Sequence, residues 1–260
     1  MNPIERTLKY VNLYLKHDLN DIKDYKLPEG YKFVLFKDGD EKDWCEIEKS
    51  SGEFLSFEEA MESFNHYYKE HYEELKRMCL FIENDKGEKV ATSTAFYLDE
   101  PEDDITGNVH WVSVKKEYQG KGLSKPLISE TLKLMKELGH KKTLLHTQTH
   151  TWLAAKVYLD MGFNPYNVEE DYLGWQILKK ITNHEKLSNI EDINENDMYD
   201  QLYVQAYEFL KSKYEEPFNY KIWDKLGPII GINKDDEVYY YNYTYDNGKL
   251  NVEEESRKTK

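Results

Sequence analysis

The residues best suited to chemistry lie in a short stretch, Gln119-Gly120-Lys121-Gly122-Leu123-Ser124, here called the glycine loop. The loop follows a strand-like segment that ends at Val114, and it opens a helical pattern. Its backbone N–H groups and the helix N-terminus would therefore face one ligand, an arrangement that binds anions and above all phosphate groups. Two phosphate-binding patterns are excluded. Lys125 replaces the third glycine of the dinucleotide fingerprint, and Leu123 follows Gly122 where a triphosphate loop has lysine.

A second informative stretch is Thr151-Trp152-Leu153-Ala154-Ala155-Lys156-Val157-Tyr158-Leu159-Asp160-Met161-Gly162-Phe163. Together the two stretches resemble the GCN5-related N-acetyltransferases. The first resembles the family's Arg/Gln-x-x-Gly-x-Gly/Ala loop, and the second resembles its Asn-x-x-Ala…Tyr…Gly-Phe segment. Val112-Ser113-Val114 extends the resemblance, which covers residues 31–180 by the order of elements. The sequence departs from the family pattern at Ser124, in place of the second Gly/Ala, and at Thr151, in place of Asn.

This resemblance implies that acetyl-CoA is the co-substrate and that the glycine loop cradles its pyrophosphate. It also implies that the strand ending at Val114 pairs with pantetheine, with the N–H of Val112 aimed at the acetyl oxygen where negative charge develops. The residues expected to bind the co-substrate are Val112, Ser113, Val114, Gln119, Gly120, Lys121, Gly122, Leu123, Ser124, Thr151 and Ala154.

Tyr158 stands where the family has its usual general acid. A phenol of pKa about 10 protonates a departing thiolate of pKa about 8.5 in a mildly uphill step. Because the chain holds 22 tyrosines, a tyrosine packed in the core is the alternative interpretation.

His110 is the candidate general base. Strand alternation would place it on one face with Val112 and Val114, towards the co-substrate. An imidazole pKa of about 6.5 suits removal of a proton, directly or through water. A hydrogen-bonded core histidine is the alternative.

Trp111, His146 and Gln148 are the candidate acceptor-pocket residues, because in the family's fold the two strands that carry them splay apart to admit the co-substrate. His140, His146 and His150 invite a metal interpretation. Their positions span a helix end, a strand and a loop with no matching carboxylate, so no metal is predicted.

Charge distinguishes the glycine loop from the rest of the chain. The 260 residues include 35 Lys+Arg and 50 Asp+Glu, a formal net charge of −15. This excess argues against nucleic-acid binding and suits a cationic substrate. Within residues 115–142, however, eight lysines accompany three glutamates. Such a run is usually a solvated helix face, but here binding of the CoA phosphates is the favoured interpretation.

The sequence predicts neither secretion nor a membrane span. It begins without the basic-then-apolar order of a signal peptide, and no run approaches about 18 apolar residues. Cys45 and Cys79 are isolated from each other, which predicts buried, inert thiols in a reducing compartment. A cytoplasmic location is therefore expected.

The elements around the motifs predict an α+β (α/β) chain. By resemblance it has the GNAT fold, a mixed, mostly antiparallel sheet flanked by helices. Residues 1–26 are predicted to form an N-terminal helix, from the spacing of Ile4, Leu8, Val11 and Leu15. Residues 27–182 form the predicted N-acetyltransferase domain, with a last strand at 173–178.

Residues 183–260 are a predicted extension of unknown role. A helix is expected there from Leu202 to Leu210, and a shorter one at residues 222–226. A hairpin turning at Asp246-Asn247-Gly248 follows, and its alternate tyrosines are expected to pack on the domain.

The predicted function is acetyl-CoA-dependent N-acetylation of a primary amine in a small cationic metabolite or a peptide. The acidic loop at residues 99–104 favours a cation. Two alternatives stay open: a non-catalytic acyl-CoA-binding module, and a protein acetyltransferase that docks its target on the extension. The sequence does not determine the oligomeric state, and a homodimer stays open as one option; neither nucleic acid nor a membrane is expected as a partner.

Overall fold

The computed structural model of the protein describes residues 4–97 and 105–258, so the acidic loop at 99–104 lies outside it. Both helices and strands occur along these ranges, singly and in runs of two to four. The helices are α1 (Glu41–Ser51), α2 (Phe57–Tyr68), α3 (Tyr72–Met78), α4 (Ser124–Glu137), α5 (Trp152–Asp160), α6 (Tyr172–Thr182) and α7 (Gln201–Lys213). The strands are β1 (Asn12–His17), β2 (Tyr31–Leu35), β3 (Cys79–Asn84), β4 (Lys89–Tyr97), β5 (Thr106–Val114), β6 (Lys142–Gln148), β7 (Asn164–Tyr166), β8 (Asn219–Trp223), β9 (Ile229–Lys234), β10 (Glu237–Asp246) and β11 (Lys249–Lys258).

The larger sheet has seven strands in the order β2-β3-β4-β5-β6-β1-β7. Its neighbours are antiparallel except β5 and β6, which are parallel. With helices packed on the sheet, this arrangement confirms the predicted fold class. β5 and β6 pair only from Thr106 to Asn108 against Lys142 to Leu144. Beyond Asn108 the two strands separate, so the backbone N–H and C=O groups on that side of β5 face a gap.

Two apolar clusters hold helices to the sheet. One contains buried residues of α1, α2 and α3, among them Trp44, Phe64 and Leu75. The other joins α4, α5 and α6 to β1, with Leu132 and Trp175 among its members. Because α4 and α5 are fixed in this way, the loops that begin them are held at the gap between β5 and β6.

β5 contains a β-bulge at Trp111, whose φ is 51°. Thr92 pairs with Ser113 and Thr94 with His110, so Ser93 alone stands opposite both Trp111 and Val112. The extra residue in β5 reverses the side-chain alternation at that point. His110 and Trp111 therefore point to the face covered by α1 and α2, and Val112 points to the other face.

The predicted N-terminal helix is wrong. Residues Asn12–His17 form β1, in which Leu13, Leu15 and His17 are the buried members of a strict alternation. The apolar spacing of this segment fits a strand as well as a helix, and pairing decides between them. β1 pairs with β6 on one side and β7 on the other, and both lie far away in the sequence.

Two further assignments are wrong for a related reason. Residues 173–178 lie in α6, where Gly174, Trp175, Ile177 and Leu178 form one buried helical face, and β7 supplies the last strand instead. Short apolar runs fit either element, and tertiary packing selects one. The short helix predicted at residues 222–226 is also wrong, because Trp223 ends β8 and pairs with Ile229 of β9, a strand that the sequence reading missed.

The C-terminal part folds as α7 on a four-stranded sheet of order β11-β10-β9-β8. The predicted hairpin is confirmed: β10 and β11 pair across the turn at Asn247 and Gly248. Tyr241 and Tyr243 are buried against α7, so these tyrosines pack the sheet on its own helix.

This extension is joined to α1 and α2 by specific contacts. Lys221 Nζ lies 3.0 Å from Glu59 Oε1, and Lys49 Nζ lies 3.0 Å from Asp236 Oδ1. Gly231 allows close packing there, since a Cβ added to it would lie 2.1 Å from the Trp223 ring and 2.9 Å from Leu55. No helix in the described ranges is long and apolar enough to cross a membrane.

Candidate active site

The gap between β5 and β6 opens into a cavity of about 200 Å³, here called the cleft. β5 forms one wall, α5 another, and the glycine loop and the start of α4 close one end. Predicted residues that line it are Val112, Ser113, Val114, Gln119, Gly120, Ser124, Thr151, Ala154 and Tyr158. The structure thus brings together two motifs that are separate in the sequence.

The glycine loop is held open by its backbone. Gly120 and Gly122 have φ of 75° and 77°, a conformation that glycine adopts without strain. Gln119 Nε2 donates a hydrogen bond of 3.1 Å to the Val114 carbonyl and ties the loop to β5. Leu123 is buried in the core beside Leu127 and anchors the start of α4, so it does not line the cleft.

The flanking lysines have neighbours of their own. Lys121 Nζ lies 4.3 Å from the centre of the Tyr118 ring, and Lys125 Nζ lies 3.6 Å from Asp160 Oδ2. Lys121 and Gly122 stand at the rim rather than in the lining of the cleft. Their predicted phosphate contacts stay predictions.

Tyr158 projects from α5 into the cleft and is 5% exposed. Burial raises the pKa of its phenol above 10.0, and the carboxylates of Glu48 and Glu53 raise it further. No hydrogen-bond partner for its hydroxyl occurs among the described residues. The group is therefore a protonated donor that faces the cleft at neutral pH.

Glu48 is a buried carboxyl group that the sequence reading missed. It lies on α1 behind β5, wholly inaccessible, and Ser113 Oγ donates a hydrogen bond of 2.6 Å to its Oε2. Its Oε1 has no hydrogen-bond partner among the residues that the structure describes. Burial raises the pKa of Glu48 to about 8, with the Ser113 hydrogen bond opposing and Glu53 adding to the rise. A titratable carboxyl thus stands one hydrogen bond from the cleft.

A signal for Glu48 existed in the sequence. Trp44 and Ile47 mark the core face of α1, and position 48 is four residues after Trp44 on the same face. A charged residue at such a position is rarely buried without a function or a partner.

His110 does not line the cleft, and the prediction that it shares a face with Val112 is wrong because of the bulge at Trp111. Its Nδ1 lies 3.0 Å from Tyr68 Oη, and its ring stacks on Phe96 at 5.7 Å. Burial lowers the pKa of His110 to about 4, with a smaller contribution from His146. It is a neutral core histidine at neutral pH.

The three candidate acceptor residues are not brought together. Trp111 packs between Trp44 and Phe54 at 5.4 Å from each, away from the cleft. His146 is exposed, with Nε2 3.0 Å from Asn12 Oδ1. Gln148 lines a second cavity. The described residues contain no cluster of His, Cys, Asp or Glu arranged to hold a metal ion.

The comparison with protein families finds one model, the acetyltransferase (GNAT) family, that matches residues 42–163. This match contains the glycine loop, β5 and the Tyr158 segment. Residues 42–163 are therefore similar to GNAT acetyltransferases, and this part of the chain is called the GNAT domain below. Among curated proteins, none matches the chain.

Solved structures of GNAT proteins are similar to the chain. A GCN5-related N-acetyltransferase from Sphaerobacter thermophilus is 19% identical with a TM-score of 0.49, over 62% of this chain and 50% of the other. One from Kribbella flavida is 16% identical with a TM-score of 0.44, over 61% and 56%. A tandem GNAT protein from the clavulanic acid biosynthesis pathway is 17% identical with a TM-score of 0.43, over 63% and 52%. The chain thus covers about half the length of these structures.

The second cavity, of about 240 Å³, lies where the GNAT domain meets the extension. It shares Ile4, Glu53 and Thr151 with the cleft. Tyr203, Lys221 and Trp223 of the extension complete its wall. No sequence signal pointed to this cavity, because its residues come from five separate segments and form no motif.

Proposed function

We propose that the protein is an acetyl-CoA-dependent N-acetyltransferase that acts on a primary amine of a small molecule or a peptide. The observation that carries the proposal is the cleft itself. It joins the glycine loop, the unpaired edge of β5 and a protonated Tyr158 in one space within the GNAT domain. Acetyl-CoA supplies the activated acetyl thioester.

Binding of the co-substrate follows from the backbone of the cleft. The N–H groups of residues 120–124 and the start of α4 attract the pyrophosphate. The unpaired edge of β5 hydrogen-bonds the pantetheine amides, and the N–H of Val112 stabilises the acetyl oxygen as it becomes negative. Thr151 and Ala154 at the start of α5 form the opposite wall.

Proton transfers complete the reaction. The acceptor ammonium loses a proton through the Ser113 hydroxyl to Glu48, whose raised pKa of about 8 suits a base near neutral pH. The amine nitrogen then bonds to the thioester carbon and the C–S bond breaks. Tyr158 gives its proton to the thiolate, and the second proton that the nitrogen loses as the amide forms restores the phenol. Burial makes the phenol a weaker acid, but the same surroundings make the thiolate more basic, so the two effects oppose each other.

A thiol-release assay with acetyl-CoA over a panel of primary amines tests this proposal. We expect release of free CoA with at least one amine, at a rate well above the hydrolysis seen without amine. If acetyl-CoA binds by calorimetry but no amine stimulates thiol release, the protein is a binding module rather than an enzyme.

A further inference from the structure

The second cavity is lined by one cationic and one anionic side chain that form no ion pair with any residue that the structure describes. Its charged lining residues are Arg6, Glu53 and Lys221. Glu59 neutralises Lys221 through a contact of 3.0 Å. Arg6 and Glu53 therefore remain to meet the charges of a ligand.

Arg6 is half-buried, and its Nη2 donates a hydrogen bond of 3.0 Å to the Gly52 carbonyl. In the ranges that the structure describes, it forms no ion pair with a carboxylate. A guanidinium has five N–H donors in a planar fork that fits a carboxylate, and one bond leaves most of them available. Arg6 is also one of only three arginines among 35 Lys+Arg, so this chain does not use arginine as general surface charge.

Glu53 follows α1 and lines both the second cavity and the cleft. It too has no ion-pair or side-chain hydrogen-bond partner among the described residues. Its negative charge raises the pKa of Tyr158, so the two side chains belong to one electrostatic environment. An ammonium group held by Glu53 would thus stand at the boundary with the cleft, on the side of the proposed general acid.

The rest of the cavity wall is largely aromatic. Tyr10, Tyr203 and Trp223 contribute rings, the last two from the extension. At about 240 Å³, the cavity is smaller than the roughly 300–1,000 Å³ of sites for drug-sized ligands. It fits a small metabolite with an apolar or aromatic side chain better than an aminoglycoside.

We infer that the acceptor is a small zwitterionic amine of the α-amino-acid class. Its ammonium lies at Glu53, its carboxylate at Arg6 and its side chain against Tyr203 and Trp223. The inference rests on the proposed N-acetyltransferase activity and narrows its acceptor. The nitrogen at Glu53 forms the new C–N bond, and the amide product carries no positive charge. Product release then follows from the lost attraction to Glu53.

Matched pairs that differ only in the carboxylate test this inference: L-tyrosine with tyramine, and L-lysine with cadaverine. In the thiol-release assay we expect kcat/KM to be at least about tenfold higher for the amino acid of a pair. Equal or better turnover of the decarboxylated amines would overturn the inference while leaving the proposed function intact.

Arg6→Gln tests whether Arg6 is the residue that binds the carboxylate of the acceptor. Loss of a charge-assisted hydrogen bond is expected to raise KM for the amino acid by about 10- to 100-fold and to change KM for its decarboxylated partner by less than about twofold. Arg77→Gln, which removes an exposed arginine bonded to Tyr97, is the matched control and should change neither value. Arg6→Lys, which keeps the charge without the fork, should lie between wild type and Arg6→Gln. It provides a second readout if the glutamine variant folds poorly.

Arg6 also borders a third cavity, of about 530 Å³, which includes Lys116 and Gln119 beside the glycine loop. A guanidinium turned that way would bind a phosphate of the co-substrate. KM for acetyl-CoA is therefore measured in parallel, and a rise in that value instead of the value for the amino acid contradicts our assignment.

If no amine is turned over, the proposed function fails, and calorimetry still tests the site. Binding of L-tyrosine in the presence of CoA, lost in Arg6→Gln and kept in Arg77→Gln, would support a zwitterion site without catalysis. Absence of binding to the wild-type protein would overturn the inference.

Discussion

Glu48 is a carboxyl group that the fold buries completely on α1. A carboxyl with no solvent contact and one unpartnered oxygen is costly to ionise, and its pKa of about 8 expresses that cost. Below that pH the group is held neutral and keeps its hydrogen bond from Ser113. In the mechanism that we propose, stability and catalysis therefore depend on the same proton.

Glu48→Gln is expected to change how stability depends on pH. The folded-state pKa of about 8 lies above the ordinary 4.5, so the proton stabilises the fold fully below about pH 4.5 and this contribution is lost as pH rises towards 8. Relative to wild type, the variant should gain about 2–3 kcal/mol in free energy of unfolding between pH 5.5 and 7.5. Urea titrations at both pH values measure it. Glu46→Gln, an exposed change on the same helix, should give no such difference.

Tyr158→Phe is expected to lower kcat by about 100-fold or more, because no proton donor remains for the leaving thiolate. KM for acetyl-CoA should change by less than about twofold. Since the pKa of Tyr158 is raised above 10.0, wild-type kcat should show no fall from this group between pH 7 and 9.5. Steady-state kinetics over that range, with Tyr166→Phe as control, measure both effects. Full activity in Tyr158→Phe would exclude it as the acid.

Among individual residues of the candidate site, those in the motifs could be predicted from the sequence, and the polar residues around them could not. Ser113, Gly120 and Tyr158 belong to stretches that resemble a known family, and the resemblance implied their places on a strand, in the loop before α4 and on α5. Arg6 and Glu53 belong to no pattern, since only the folded chain brings them to one cavity.

The elements that form the cleft are a bulged strand and a pair of strands that separate. Neither feature follows from residue types. A bulge adds one residue to β5 without altering its apolar content, and it reversed the direction predicted for His110. Most helices and strands of the GNAT domain were predictable because their periodicity runs over many residues. β1 and α6 were not, because short apolar runs fit both structures and their packing partners decide.

Gly120→Ala tests whether the backbone of the glycine loop binds acetyl-CoA. A methyl group at φ 75° meets open space, so the cost is conformational strain of about 1–2 kcal/mol. Redirected N–H groups should raise KM for acetyl-CoA by about three- to tenfold. Gly87→Ala, in the turn between β3 and β4, has φ 82° and equally open space. It should lose similar stability with unchanged KM, and an equal KM effect in both variants would exclude a local role for the loop.

Across the whole molecule, the extension packs against the rest of the protein and lines the second cavity. Met198 packs on Leu8 and Ile177, and Trp223 reaches the second cavity. The composition of residues 183–260 gave no hint of this docking. The net charge of −15 likewise does not show that one arginine and one glutamate, Arg6 and Glu53, line the same cavity.

Gly231→Ala should disturb that docking. The new Cβ would meet Trp223 at 2.1 Å, so we expect a loss of about 1–3 kcal/mol in free energy of unfolding. KM for the acceptor should rise, and KM for acetyl-CoA should stay the same, because Trp223 lines only the second cavity of the two. Thermal unfolding and kinetics measure the two effects. Trp223→Ala added to Gly231→Ala should restore part of the stability; purely additive losses would show that the clash is not the cause.

The position of β1 between β6 and β7 has a consequence for synthesis on the ribosome. Tyr14 pairs with His146 on one side and with Tyr166 on the other. At about 5–20 residues per second, the first strand waits roughly 7–25 s for its earliest partner to be translated. During that interval Leu13 and Leu15, which are buried in the folded protein, have neither neighbouring strand beside them. β1 can pair with β6 first, and β7 completes the sheet on the other side of β1 once it too has been translated.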